Sequence, residues 1–122
     1  MCLRLFGALS GSAADLAGLA FGSGLDLRID RREGKQPDVL LVELAWGDCA
    51  CALATSADGG QRVAAFAEGL IDGGGRIQLL LIDEAEEPRF GSLPVNPLPL
   101  STIRSQGLAA LDRGTAVEVT KL

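Results

Sequence analysis

A serine-led helix, a glycine stop and an apolar strand follow one another three times along this chain of 122 residues. The first unit is SAADLAGLAFGSGLDLRID, the second ends in EGLIDGGGRIQLLLID, and the third is STIRSQGLAALDRGTAVEVTKL. Serine hydroxyls accept hydrogen bonds from the first free N–H groups of a helix, and glycines end helices. The three units do not recur at one fixed period, which favours repeated αβ units over a solenoid. The predicted helix starts are Ser10 or Ser12, then Ser56 or Asp58, then Ser101. The predicted ends are Gly22 with Gly24, then Gly73–Gly75, then Leu111 or Asp112.

Further strands are predicted between these helices. Apolar residues dominate Cys2 to Leu9, alternate with charged residues from Leu25 to Ile29, and run almost unbroken from Val39 to Trp46. The last two segments are joined by a charged turn and predict a hairpin. A Gly-Asp pair then suits a tight reversal, so residues 49–55 are predicted to return as another strand.

These elements predict an α+β fold, with one mixed or largely antiparallel sheet packed against about three short helices. Over the first 46 residues, the order strand, helix, strand, strand matches the start of a split βαβ, or ferredoxin-like, arrangement, to which a C-terminal αβ unit is added. Because 48% of the residues are hydrophobic, a chain of this length is expected to form one domain over residues 1–122.

The charges and cysteines restrict the partners and the compartment. There are 11 basic and 16 acidic residues, and the basic ones are scattered. Binding to nucleic acid or to an anionic membrane depends on clustered Lys and Arg, so neither partner is expected. No apolar run approaches the ~20 residues that span a bilayer. Three cysteines are too few for a disulfide framework, and the cytoplasm is therefore the predicted compartment.

Histidine and tyrosine are both absent from the sequence. Catalysis by Ser-His-Asp or Cys-His sets within one chain is thereby excluded, and so are metal sites with imidazole ligands. Any chemistry must come from Cys, Asp, Glu, Lys, Arg, Ser or Thr. No catalytic constellation of these residues stands out, and no cofactor is predicted.

Cys49 and Cys51 form a C-x-C pair. In a strand, both thiols would lie on one face, where they could act as redox thiols or hold a soft metal, with Cys2 as a third sulfur. A zinc site needs about four ligands, however. A disulfide between the pair is disfavoured, because their β carbons would be roughly 6–7 Å apart against the ~3.8 Å of a disulfide. The simpler interpretation is core packing, since free cysteine behaves as a small hydrophobe.

Acidic residues follow the strand Ile77 to Asp83. Asp83 together with Glu84 or Glu86 could hold Mg²⁺ or Ca²⁺, which prefer carboxylate oxygens. No second acidic motif supports this site, and a solvated acidic loop is the simpler interpretation.

The segment 88–100 is predicted to be a loop or an arm, because four prolines between Pro88 and Pro99 are too many for regular structure. Its apolar side chains must lie against something, either the chain's own domain or a neighbouring subunit. These side chains belong to Phe90, Leu93, Val95, Leu98 and Leu100.

Three functions follow from these observations. The first is a small non-enzymatic interaction or regulatory module that acts through protein–protein contact and self-associates, because surplus apolar surface marks interfaces. The second is a thiol-based redox protein, or one that binds a soft metal or small ligand, using Cys49 and Cys51. The third is a carboxylate-based enzyme with a divalent metal, using Asp83 and Glu84 or Glu86.

Overall fold

The computed structural model describes residues 3–11, 16–29, 40–46, 51–83, 85 and 96–121. Six strands form one sheet: β1 (Leu3–Ser10), β2 (Asp26–Ile29), β3 (Leu40–Ala45), β4 (Arg76–Asp83), β5 (Asn96–Pro99) and β6 (Val117–Thr120). The strand order is β2-β3-β1-β4-β6-β5. All neighbouring pairs are antiparallel except β5 and β6, which are parallel. The predicted α+β class with one mixed sheet is therefore confirmed.

The described helices are α1 (Leu16–Ser23), α2 (Cys51–Thr55), α3 (Ala57–Asp72) and α4 (Leu100–Gln106), and α4 continues into a 3₁₀ helix at Gly107–Ala110. Because β1 and β2 are both antiparallel to β3, they run parallel to each other on either side of it. By the same reasoning, β3 and β4 run parallel on either side of β1. The C-terminal unit adds β6 and β5 beyond β4. The ferredoxin-like arrangement with an added C-terminal αβ unit stays a prediction.

The sheet has two different faces because side chains alternate along each strand. One face packs against the helices and forms the main core, in which Leu5, Val42 and Leu79 are fully buried. The other face holds a smaller buried cluster of Phe6, Leu80 and Ile82. Apolar residues on both faces of the central strands are typical of a strand buried on both sides.

An ion pair lies beside the smaller cluster. Arg4 donates to the two carboxylate oxygens of Glu43 from Nε and Nη2, at 3.0 and 2.9 Å, and its guanidinium lies 4.8 Å from the centre of the Phe6 ring. Glu43 on β3 lies opposite Phe6 on β1, so Arg4, two residues before Phe6, is the diagonal neighbour of Glu43 on the same face. The pair compensates the charge of the one buried acidic residue described.

Helix α3 forms as the sequence predicts. The Ser56 hydroxyl oxygen accepts a hydrogen bond from the Asp58 N–H at 3.2 Å, which caps the helix. Val63 and Phe66 are fully buried on the face turned to the sheet. At the end of the helix, Gly74 takes a φ of +89°, a conformation that costs glycine little.

The strand predicted at 49–55 is wrong for the part that the structure describes, because Cys51–Thr55 is the helix α2. The Thr55 hydroxyl donates to the carbonyl of Cys51, one helical turn back, at 2.9 Å. Ala and Leu are among the strongest helix formers, and alternation over so few residues does not separate helix from strand. Leu53 is fully buried in the main core, and residues 47–50 lie outside the described residues.

Two expectations near the C-terminus are also corrected. Residues 96–99 form β5 although Pro97 and Pro99 lie in it, which is possible because β5 is the outermost strand of the sheet. Helix α4 begins at Leu100 and not after Ser101, and its N-cap is Pro99, without a side-chain hydrogen bond. The helix ends at Gln106 because Gly107 takes a φ of +65°, short of the end predicted at Leu111 or Asp112.

Candidate functional site

Cys51 is the one cysteine among the described residues, and it is half-buried at the start of α2. Its sulfur accepts a hydrogen bond from the backbone N–H of Leu3 at 3.1 Å, which ties α2 to β1. The prediction that Cys49 and Cys51 share a strand face fails because Cys51 is helical. Cys2 and Cys49 lie outside the described residues, so the convergence of the three sulfurs stays a prediction.

Asp83 is the last residue of β4, and Glu84 and Glu86 lie outside the described residues. The Asp83 carboxylate is 3.5 Å from Nη1 of Arg113. An acidic residue paired with a guanidinium already has a compensating charge. Within the ranges that the structure describes, no group of three acidic, Cys or His residues could hold a metal ion.

Two of the five apolar residues predicted to form an arm are described. Leu100 is buried in the main core and Leu98 packs against it at half-exposure. At these two positions, the side chains therefore lie against the chain's own domain, one of the two alternatives that the sequence left open. Phe90, Leu93 and Val95 lie outside the described residues.

The outer face of α1 is the surface that sequence reasoning missed. Phe21 is 88% exposed and is the one large hydrophobic residue exposed in the described part of the chain. Gly18 and Gly22 lie one turn apart beside it and are also exposed. A β carbon added to Gly22 would meet no atom within 4 Å. We call Gly18, Phe21 and Gly22 the α1 face.

The sequence carried a signal for this surface. No charged residue occurs between Leu16 and Ser23, so α1 is apolar on all sides. A surface helix normally shows a polar stripe, and a helix without one is usually covered all round. In this structure, Ala20 is buried against the core while Phe21 is not.

Helix α1 is held firmly against α3. A β carbon at Gly69 would lie 2.5 Å from Cδ2 of Leu19, so the glycine is what allows the two helices to approach so closely. The N–H of Leu25 donates to the carbonyl of Ala20 at 2.8 Å, and the N–H of Gly24 donates to the carbonyl of Phe21 at 3.1 Å. These two hydrogen bonds cap the C-terminus of α1.

Arg62 of α3 fixes the same end of α1. Its Nη1 donates to the carbonyl of Gly24 at 2.9 Å, and its guanidinium stacks 4.0 Å from the centre of the Trp46 ring. Its Nε is buried and makes no hydrogen bond. The position of the guanidinium therefore depends on Gly24 and Trp46. A cation near the C-terminus of a helix also interacts favourably with the helix dipole.

Strand β2 forms one edge of the sheet and follows α1 directly. Asp26 and Arg28 are exposed and point to the face away from the helices, whereas Leu27 packs against the main core. Helix α1 contacts β2. The helix that carries the α1 face therefore lies beside this edge of the sheet.

Comparison with protein-family models, with known proteins and with solved structures gives no match to this chain. Any function proposed for it therefore rests on its own residues. Of the helices that the structure describes, none is both long enough and apolar enough to cross a membrane.

Proposed function

We propose that this chain is a non-enzymatic protein–protein interaction module that associates with a second copy of itself through the α1 face. The observation that carries the proposal is the 88% exposure of Phe21 on a helix with no charged residue. A contiguous exposed apolar patch marks a contact surface, and Phe21 together with the glycines beside it is the patch that we propose. The proposal includes no cofactor and no catalytic site, and the cytoplasm stays the predicted compartment.

The α1 face is complementary to itself, which is why we propose a second copy as the partner. Phe21 supplies an exposed ring, and the exposed Gly18 and Gly22 supply an adjacent area without side chains. In the proposed dimer, the ring of one copy lies over the glycines of the other, and the reciprocal contact forms at the same time. This reciprocity is the requirement of a twofold interface.

The contacts behind α1 support the proposal because they fix the helix before any partner arrives. Gly69 allows close packing on α3, and Arg62 holds the carbonyl of Gly24. Binding by a surface that is already ordered loses less conformational entropy than binding by a mobile one.

The mass of the protein in solution, measured by light scattering or sedimentation at micromolar concentration, tests the proposal. The wild type is expected to show twice the 12.6 kDa mass of one chain. In Phe21→Ser, each dimer loses the burial of two rings, worth about 2 kcal/mol each, so the dissociation constant should rise by about 10³. Asn96→Ala, at the opposite edge of the sheet, serves as the control and should dimerise like the wild type.

A wild type that is monomeric throughout the micromolar range contradicts the proposal. So does a Phe21→Ser variant with an unchanged dissociation constant. The Phe21 ring makes little contact within its own chain, so Phe21→Ser is expected to keep its fold. Circular dichroism of the variant checks that a monomeric Phe21→Ser is still folded.

The thiol-based alternative keeps one supporting observation, the half-buried Cys51 sulfur that accepts the Leu3 N–H. It requires a cysteine that reacts in the native protein. Counting the thiols that react rapidly with a maleimide tests this function, and the absence of a fast reaction would eliminate it. The divalent-metal alternative predicts a higher melting temperature in millimolar Mg²⁺ or Ca²⁺, since a ligand of the folded state stabilises it.

A further inference from the structure

The outer edge of β2 offers backbone groups that no described strand pairs with. An unpaired edge strand presents a row of backbone groups with which a strand of another chain can pair. At the opposite edge, Pro97 and Pro99 remove two of the N–H donors of β5. Strand β2 contains no proline, and its two charges have opposite signs.

The charges on β2 select one register for pairing with a copy of itself. We consider an antiparallel pair of β2 strands in which the helices of both copies lie on the same face of the joined sheet. Each residue of one strand must then lie opposite a residue of the other strand whose side chain is on the same face. A pair centred on Asp26 or on Arg28 would place like charges opposite each other, which is destabilising. A pair centred on Leu27 places Asp26 of each copy opposite Arg28 of the other.

The Leu27-centred register forms two cross-strand ion pairs on the face away from the helices. Among the described residues, none makes an ion pair with Arg28. Asp26 has an interaction within its own chain. A carboxylate has about four acceptor positions, so it can accept from a second guanidinium as well.

The same register brings the α1 faces together. Strands in a sheet are about 4.8 Å apart, so pairing along β2 brings the α1 helices, which contact β2 in each copy, close to the junction between the two copies. The two helices can then pack at the roughly 8–10 Å that separates packed helices. Leu27 of each copy meets its equivalent on the helical side, beneath the α1 pair. The edge charges and the exposed Phe21 therefore point to the same partner from opposite faces of the sheet.

We propose that two copies of the chain pair along β2, antiparallel and centred on Leu27, so that one sheet runs through both copies. This inference rests on the proposed self-association and specifies its geometry. The ion pairs Asp26–Arg28 and Arg28–Asp26 set the register, and the α1 faces cover each other above it.

Charge reversal tests the register. In Asp26→Arg, two arginines of one copy face two arginines of the other, and in Arg28→Asp, aspartates face aspartates. Each variant alone should dimerise at least about tenfold more weakly than the wild type, because two attractive pairs become repulsive. An equimolar mixture of the two should form heterodimers with wild-type affinity, and the double variant D26R/R28D should form homodimers again.

Sedimentation of each variant, of the mixture and of wild type at the same concentrations gives the dissociation constants, and Asn96→Arg at the other sheet edge is the control. Weakening in both single variants with recovery in the mixture supports the inference. If wild type dimerises and the single variants dimerise equally well, the β2 pairing is overturned while self-association stands. If both single variants weaken but the mixture and the double variant do not recover, the register is overturned. A monomeric wild type overturns the proposed function itself.

Discussion

Replacing Gly24 by alanine should destabilise the fold by more than its backbone conformation alone requires. Gly24 has a φ of +73°, where an L-residue costs about 1 kcal/mol more than glycine. An added β carbon would also lie 1.8 Å from Nη1 of Arg62, so the guanidinium must move away. Because Arg62 is flexible, the additional cost is set by the contacts that it gives up.

Those contacts can be estimated from the structure. The hydrogen bond to the Gly24 carbonyl involves a charged donor, worth about 1.5–3 kcal/mol, and the stacking on Trp46 adds about 0.5–2 kcal/mol. Part of this is recovered when the guanidinium reaches water, so we expect G24A to cost about 3 kcal/mol in total, of which about 2 kcal/mol comes from Arg62. Gly114 is the matched control, because its φ is +80° and a β carbon there meets nothing within 4 Å.

Urea denaturation, monitored by circular dichroism at one protein concentration, measures both variants. G114A should lose about 1 kcal/mol of unfolding free energy and G24A about 3 kcal/mol. In an Arg62→Ala background, G24A should cost no more than G114A, because the clash and the lost contacts are gone. Equal costs for G24A and G114A in the wild-type background, or a G24A cost that persists without Arg62, would refute this reasoning.

Three further outcomes are expected from single substitutions. Glu43→Ala should cost about 2 kcal/mol in urea denaturation, because Arg4 is left half-buried without its carboxylate, and a cost below about 0.5 kcal/mol would contradict this. Gly59→Ala should lower the melting temperature, because its β carbon would lie 1.9 Å from a backbone carbonyl oxygen of α2. The Asp72 carboxylate, 2.6 Å from Nζ of Lys121, hydrogen-bonds the ammonium and attracts its charge, which raises the pKa of Lys121. The resulting stabilisation is present below the ordinary lysine pKa and is lost as pH rises through the raised pKa. Lys121→Gln should therefore flatten the alkaline end of a plot of unfolding free energy against pH. An unchanged plot would contradict this.

The elements that the sequence predicts well are those whose signals are local. The cap at Ser56, the apolar spacing of α3 and the glycine stop at Gly74 act on neighbouring residues, and the structure shows all three. Strand β4 is apolar enough to be predicted without knowledge of its neighbours. The class of the fold follows from such elements taken together.

What the sequence does not predict depends on contacts between distant residues. Cys51–Thr55 is too short for its period to separate helix from strand, and the one of its described residues that lies in the buried core is Leu53. Two prolines fit in β5 because it lies at an edge, which is a property of the whole sheet. An apolar helix such as α1 does not show which side is covered, so the exposure of Phe21 emerges only from the packing on α3.

Amide hydrogen exchange at β2, measured at low and high protein concentration, tests the central claim most directly. In a dimer that pairs along this strand, the amides of Asp26–Ile29 that face outward gain hydrogen bonds from the second copy. Their exchange should slow as the protein is concentrated from about 1 to 100 times its dissociation constant, while the amides of β5 stay unchanged. Exchange in β2 that stays equally fast across this range, in a sample shown to be dimeric, would contradict the account.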